Sequence, residues 1–329
     1  MRTPVVATLL LGSIPASLLA QGGGVPGLKR GENSAILFAA EAPPSATDQN
    51  GKPIPEQIEP IAFIVNGQLR QCDSSTSEEE SSAARNAVLT RLQRAYATGM
   101  RYPLWRGGGQ WGQAEVVKSC IDEDVNLLAA CVRFKPGAPQ IAARSGLRGI
   151  AYTGRPPIAS HLLAISKAGE PDKRAFIAGV SQILRDEQIK VPGASIRVDE
   201  VWRTRLRPDH IAISGNALAQ VPGRKSGTYH SYRVFAVLEE DDDHYKPVLR
   251  SIHKTTIVLD EMTRAQGGGE LDEGEDTDRE QFLDNFPLFS GEPDAVITEH
   301  NYYEGWSFSI YRWKSGFYHR VYTGCGGGL

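Results

Sequence analysis

The chain predicts an α+β fold that is mostly antiparallel β, and three observations carry that expectation. Only two stretches have helical spacing. Thirty-four Gly and twenty Pro among 329 residues punctuate many short apolar runs, as turns between strands do. Part of the C-terminal half also reads the same way twice. Pro208-Asp209-His210-Ile211-Ala212-Ile213-Ser214 matches Pro293-Asp294-Ala295-Val296-Ile297-Thr298-Glu299. Tyr232, Val234, Phe235 and Val237 then match Phe308, Ile310, Tyr311 and Trp313, and Tyr245, Val248 and Leu249 match Tyr318, Val321 and Tyr322. Small β-modules repeated in this way must stack to bury their faces.

The N-terminal elements follow in order. Residues 1–20 have the make-up of a secretory signal peptide: Arg2, an apolar stretch from Val5 to Ile14, Pro15 as breaker, and Ala20 before Gln21. The run is shorter than the roughly 18 residues a membrane span requires. Ala35 to Ala40 and Ile61 to Val65 read as strands, the second closed by the Asn66-Gly67 turn signal. Pro43 to Pro60 and the acidic, serine-rich run Asp73 to Ser82 read as loops. Ser82 reads as the cap of a helix carrying Val88, Leu89, Leu92 and Tyr96, with Gly99 as its stop. Arg101 to Trp105 and Ala114 to Cys120 read as strands paired around a glycine turn. Leu127 to Phe134 continues the β pattern, with short strands following through Ile150, His161 and Ile165.

With the leader removed the remainder exceeds what one core usually serves. The expected division is an N-terminal β-rich domain over 21–165 and a C-terminal α+β domain over 166–329, joined at the linker Ser166 to Asp172. Asp172 reads as the cap of a second helix whose apolar face is Phe176, Ile177, Val180, Ile183 and Leu184, ended by Val191-Pro192-Gly193. Arg203, Arg205 and Arg207 alternate with Trp202, Thr204 and Leu206, as on a strand with one charged face. The repeats are expected over about 198–252 and 282–325. Thr255 to Leu259 between them reads as a strand, and Gln266 to Glu280 as an acidic, structureless stretch.

The chemistry-bearing residues exclude more than they assign. A net charge of −3 gives no electrostatic basis for nucleic-acid binding. Gly107 to Gly112 satisfies GxGxxG, but a strand and not a helix follows, so a dinucleotide site is not expected. No zinc spacing, HExxH, GxSxG or phosphate-binding loop is present, so no cofactor or metal is expected. The acidic runs Glu239 to Asp243 and Asp272 to Asp278 lack calcium-loop spacing and read as solvated. Seven histidines are scattered, of which His210 and His300 lie in or beside the repeat strands. The four cysteines allow three connectivities. Cys120 with Cys131 flanks a short turn and is the expected pair, while Cys72 with Cys325 would tie the two halves together. Asn301 to Trp306 is the densest aromatic cluster. Its Tyr302, Tyr303 and Trp306 are the candidate ligand-binding residues, set against a reading in which these rings simply pack across strands.

The repeated unit, with Asp209 and Asp294 directly before an apolar strand, a tyrosine-rich follow-on and Tyr322-Thr323-Gly324-Cys325-Gly326, resembles the FG-GAP (VCBS) repeat of integrin-type β-propellers and of many exported bacterial proteins. The resemblance implies two degenerate propeller-blade-like modules. It does not carry over calcium binding. The earlier ligand positions hold Arg205, Arg203 and Val201 in one copy, and Ser290, Leu288 and Phe286 in the other. The expectation is therefore a secreted or periplasmic, non-enzymatic binding or structural protein, with a glycan, a cell-wall polymer or a protein as partner. The alternative is a secreted hydrolase using His210 or His300 with Asp209, Asp294 or Glu299.

Overall fold

A computed structural model describes residues 34–42, 56–72, 78–106, 109–122, 127–136, 147–154, 166–191, 195–207, 210–223, 228–242, 244–258, 279–289, 292–302 and 305–328. The leader, the short strands expected through His161 and Ile165, residues 107–108, Asp209, residues 266–278 and Tyr303 lie outside them. The mostly antiparallel α+β class holds, with two helices among the described residues.

The N-terminal part is a six-stranded barrel. Its strands are β1 (Ser34–Ala42), β2 (Gln57–Val65), β4 (Arg101–Arg106), β5 (Gly109–Asp122), β6 (Leu127–Pro136) and β7 (Leu147–Tyr152), with a short β3 (Gln68–Arg70) appended to β2. The order β1-β7-β4-β5-β6-β2 closes because β2 also pairs with β1 along its length. The β6–β2 seam needs only two register pairs, Gln57 with Cys131 and Ile58 with Ala130. Closure leaves no long exposed edge to recruit another chain. β2 starts earlier than the sequence suggested, because Pro60 sits where the register shifts opposite Leu37/Phe38, a position where a missing N–H does no harm.

Alternation along each strand fills the barrel. Ile36, Phe38 and Ala40 point inward, as do Tyr102, Leu104, Ala114 and Val116. The helix α1 (Glu78–Ala95) closes one end, inserting Leu89, Leu92 and Ala95, followed by Tyr96. It begins before Ser82, the expected cap, so Glu78 to Ser82 belong to its first turns and not to a loop. Two buried hydroxyls fix it: Tyr96 donates to the Leu128 carbonyl (2.8 Å), and Tyr102 to the Ala95 carbonyl (2.5 Å). Gly99 (φ +86°) and the Asn66-Gly67 turn (φ +50° and +75°) occupy the left-handed region where glycine and asparagine are at ease.

The C-terminal part holds two sheets and one helix. β8 (Ser166–Lys167), β9 (Ile196–Arg207), β10 (His210–Pro222), β11 (Thr228–Asp241) and β12 (His244–Val258) form a five-stranded sheet in the order β12-β11-β10-β9-β8. β13 (Arg279–Phe286), β14 (Ala295–Tyr302), β15 (Gly305–Lys314) and β16 (Phe317–Gly328) form a four-stranded meander. β9–β12 and β13–β16 thus share sequential antiparallel connectivity, and the two sheets pack face to face. Nothing in that packing identifies propeller blades. The helix α2 (Glu170–Asp186) starts at Gly169 and Pro171, not at Asp172. Asp172 instead turns its carboxylate to Arg203 on β9 (2.7 Å), which also meets Glu240 (3.4 Å). The buried face of α2 is Phe176, Val180, Ile183 and Leu184, together with Gly179, where a Cβ would collide with Leu238 of β11.

The layers run barrel, four-stranded sheet, five-stranded sheet, α2. The centre of the middle sheet is buried on both faces, and residues there alternate between the two. Ala295 and Ile297 of β14, with Phe308 and Ile310 of β15, pack on Leu37, Ile61 and Ile150 of the barrel's outer wall. Val296 and Tyr311 point the other way, onto Leu206, Phe235 and Leu249. β13 changes parity at a bulge between Phe282 and Asp284, which sends both Leu283 and Phe286 to the barrel side. Glu280, expected in a structureless acidic stretch, is instead a buried strand residue. It accepts hydrogen bonds from Thr298 (2.7 Å) and Tyr311 (2.6 Å).

Two disulfides form, Cys120–Cys131 and Cys72–Cys325. The first staples β5 to β6 within the barrel. The second ties the barrel to β16 across 253 residues of sequence. Chain-entropy arguments give about 5 kcal/mol for the long closure and about 3 kcal/mol for the short one. Replacing Cys72 and Cys325 by serine should therefore lower the denaturant midpoint more than replacing Cys120 and Cys131. Phe286 is fully buried and stands edge-on to Trp105 and Tyr152 (centroids 5.8 and 5.4 Å). Phe286→Ala should cost about 3–5 kcal/mol in urea unfolding, because the cavity opens between barrel and sheet where neither can collapse.

Candidate ligand cleft at the barrel mouth

Where β16 passes the mouth of the barrel the strand is Thr323-Gly324-Cys325-Gly326-Gly327-Gly328. The glycines answer a packing demand. A Cβ on Gly326 would collide with the Trp306 carbonyl, and one on Gly324 would lie 2.8 Å from Gln71 Cγ. Between them Cys325 is the extra residue of a β-bulge: Gly326 pairs with Ser307, and Gly324 with Phe308. Its φ is +36°, a backbone region uncommon for a residue with a side chain. The bulge re-aims the Cys325 sulfur off the sheet toward Cys72. Hydrogen bonds secure the crossing. Gln71 Nε2 donates to the Thr323 carbonyl (2.7 Å), and the Tyr322 hydroxyl lies 2.9 Å from the Ile61 carbonyl and 3.2 Å from that of Arg70.

This crossing and α1 enclose a cleft of about 350 Å³. One wall is apolar: Val88 and Leu89 from α1, and Leu128 from β6. The opposite wall is the β16 backbone from Thr323 to Gly326, at the outer edge of its sheet. Among the described residues, Arg85 of α1 supplies the only formal charge in the lining. It is half-buried, and among the described residues it has no hydrogen bond or ion pair. Periodicity reveals the helix here but not the cleft, because the lining comes from four separate stretches of chain at Gln71–Cys72, Arg85–Leu89, Leu128 and Thr323–Gly326.

The aromatic turn is divided. Tyr302 is 43% exposed, with its ring edge-on to His300. Trp306 turns toward the barrel and donates from Nε1 to Glu59 Oε2 (3.0 Å). This contact ends the apolar rows of the barrel–sheet interface in a carboxylate cluster. Glu41 continues the row of Leu37 and Ala39 on β1, Glu59 stands opposite Ala39 on β2, and Glu299 continues Ala295 and Ile297 on β14. Burial pushes the Glu59 carboxyl up to about 8, against the Trp306 hydrogen bond, with Glu41 and Glu299 adding to the rise.

The candidate histidines are not brought together. His300 lies near the end of β14, whereas His210 begins β10, at the end of the sandwich where Asn285 of β13 meets β9. His210 Nδ1 lies 2.9 Å from Glu239, a carboxylate with 2% of its side chain exposed. Glu239 therefore is not part of a solvated acidic run; its strand position turns it onto the inner face beside Val237. Asp294 receives Asn285 Nδ2 (3.1 Å), and burial raises its carboxyl to about 6 against that bond. Asn285 also donates to the Arg205 carbonyl (3.2 Å), so Asn285, held by Asp294, joins the two sheets. Among the described residues, no group of three His, Cys, Asp or Glu side chains is arranged to hold a metal ion. No described helix is long and apolar enough to cross a membrane.

The raised Glu59 carboxyl sets a pH dependence. Between its ordinary value of 4.5 and about 8 the folded state holds a proton that the unfolded state releases. Stability is fully present below about pH 4.5 and declines as pH rises through 8. Glu59→Gln should flatten this decline and raise stability at pH 8.5 by about 2–4 kcal/mol, read from urea unfolding across pH 5–9.

Comparison with protein families, with curated proteins and with solved structures finds no match to this chain.

Proposed function

We propose that the chain is an exported binding protein without catalytic activity, and that the cleft at the barrel mouth holds its ligand. The observation that carries this reading is Arg85: a half-buried guanidinium with no partner among the described residues, set in a cleft of about 350 Å³. That volume falls in the roughly 300–1,000 Å³ range of small-molecule sites. A guanidinium whose hydrogen-bonding fork is not taken by the protein can pair with a ligand anion through charge-assisted hydrogen bonds. Pre-organisation supports the reading as well. The cleft wall on β16 is held by a disulfide, a bulge and two glycines, so little ordering remains to oppose binding. The leader-like residues 1–20 and the two disulfides suit export to an oxidising compartment. Tyr302, exposed at the far turn, offers a separate surface for a glycan, a cell-wall polymer or a protein.

A secreted hydrolase is the second reading, favoured by one observation: the His210–Glu239 contact, in which a buried carboxylate orients an imidazole half exposed to solvent. Turnover of an ester, glycoside or peptide substrate that His210→Ala abolishes would favour it over the first.

The binding reading is tested by blocking the cleft. Val88 sits half-buried on the helix wall, so Val88→Trp fills the space at little cost to the barrel core. In a thermal-shift screen of glycans, peptides and organic acids, some compounds should raise the Tm of the unmodified protein and leave Val88→Trp unmoved. Equal shifts in both proteins would place binding elsewhere.

A further inference from the structure

Resting on the cleft as the ligand site, we infer that its ligand is a small organic carboxylate, with one anionic head and one apolar body. Among the described residues the lining carries a single positive charge, Arg85, and no acidic side chain. A planar guanidinium matches a carboxylate with two parallel hydrogen bonds, and the charges cancel one to one. A phosphate dianion would bring one charge more than the cleft neutralises, and an uncompensated charge beside apolar walls is costly. A cation would face Arg85 unopposed. The body of the ligand is set by the apolar wall beside Arg85: Val88, Leu89 and Leu128 offer only hydrocarbon, which favours alkyl or aryl groups over sugars.

The third wall separates two sources of this chemistry. β16 is the outermost strand of its sheet, and its stretch from Thr323 to Gly326 lines the cleft. Gln71 already takes the Thr323 carbonyl. An extended peptide ending in a free carboxylate meets the remaining edge with its own amides, as strands added to a sheet do. A fatty acid uses only the apolar wall and Arg85. The volume of about 350 Å³ limits either to a short piece, a medium-length acyl chain or the last two or three residues of a peptide.

The test uses the full chain with both disulfides intact, titrated calorimetrically. The probes are octanoate and the tripeptide alanyl-alanyl-leucine, each beside its amide. At least one acid should bind ten-fold or more tightly than its amide. Arg85→Gln should erase that preference without shifting Tm, Arg85→Lys should keep part of it, and Val88→Trp should abolish binding. Octanoate alone binding identifies a free acid as the source, and the tripeptide alone identifies a peptide terminus. Acid and amide binding equally, both blocked by Val88→Trp and indifferent to Arg85→Gln, would overturn the carboxylate and leave the cleft standing. Binding indifferent to Val88→Trp would overturn the cleft itself. No binding of either acid at millimolar concentration would overturn the carboxylate outright.

Discussion

The four-stranded meander β13–β16 is the constraint on which the rest of the molecule depends. It is apolar on both faces: Ala295, Ile297, Phe308 and Ile310 on one, Val296, Tyr311 and Tyr318 on the other. Its central strands therefore need cover on both sides. The barrel's outer wall and the inner face of β9–β12 are each half of a core that only this meander completes. That explains an otherwise odd feature of the barrel, whose outside at Leu37, Ile61 and Ile150 is as apolar as its inside.

Polar residues mark where these interfaces stop. The rows that bind barrel to meander end in Glu41, Glu59, Glu299 and the Trp306 indole. The rows that bind meander to outer sheet end in Asp294 and Asn285 on one side and Glu280 on another. Buried acids accepting defined hydrogen bonds add little stability, but they fix register. A slip of one residue along β14 would set Glu299 against the wrong sheet and bury an apolar row against water.

Much of the local structure was legible. The apolar run of β1, the Asn66-Gly67 turn, the β4–β5 hairpin and the apolar stripe of α2 all follow from composition, spacing and turn chemistry, which act over a few residues. What was not legible is non-local. Barrel closure rests on two register pairs between Gln57–Ile58 and Ala130–Cys131, which no periodicity announces. Asp172 reads as a cap but serves Arg203, because a charge on β9 outcompetes an empty helix end. Glu239 and Glu280 look solvated in sequence, since runs of acid usually are, yet each sits on an inward-facing strand position. The cleft shares this character: Arg85 is unremarkable on a helix until Leu128 and Gly324 arrive beside it.

The route of the Cys72–Cys325 bond has a consequence for biogenesis. Cys72 emerges from the ribosome or translocon some 253 residues before its partner. Cys120 and Cys131 are complete long before then and lie within bonding reach of each other once the β5–β6 hairpin zips. The early thiol at position 72 must wait, unpaired, while the outer sheet and then the meander are made. An oxidase acting strictly in order of appearance would join Cys72 to Cys120. Correct pairing thus demands either that the hairpin closes first or that an isomerase corrects the error, making the maturation of this protein a matter of timing as well as of geometry.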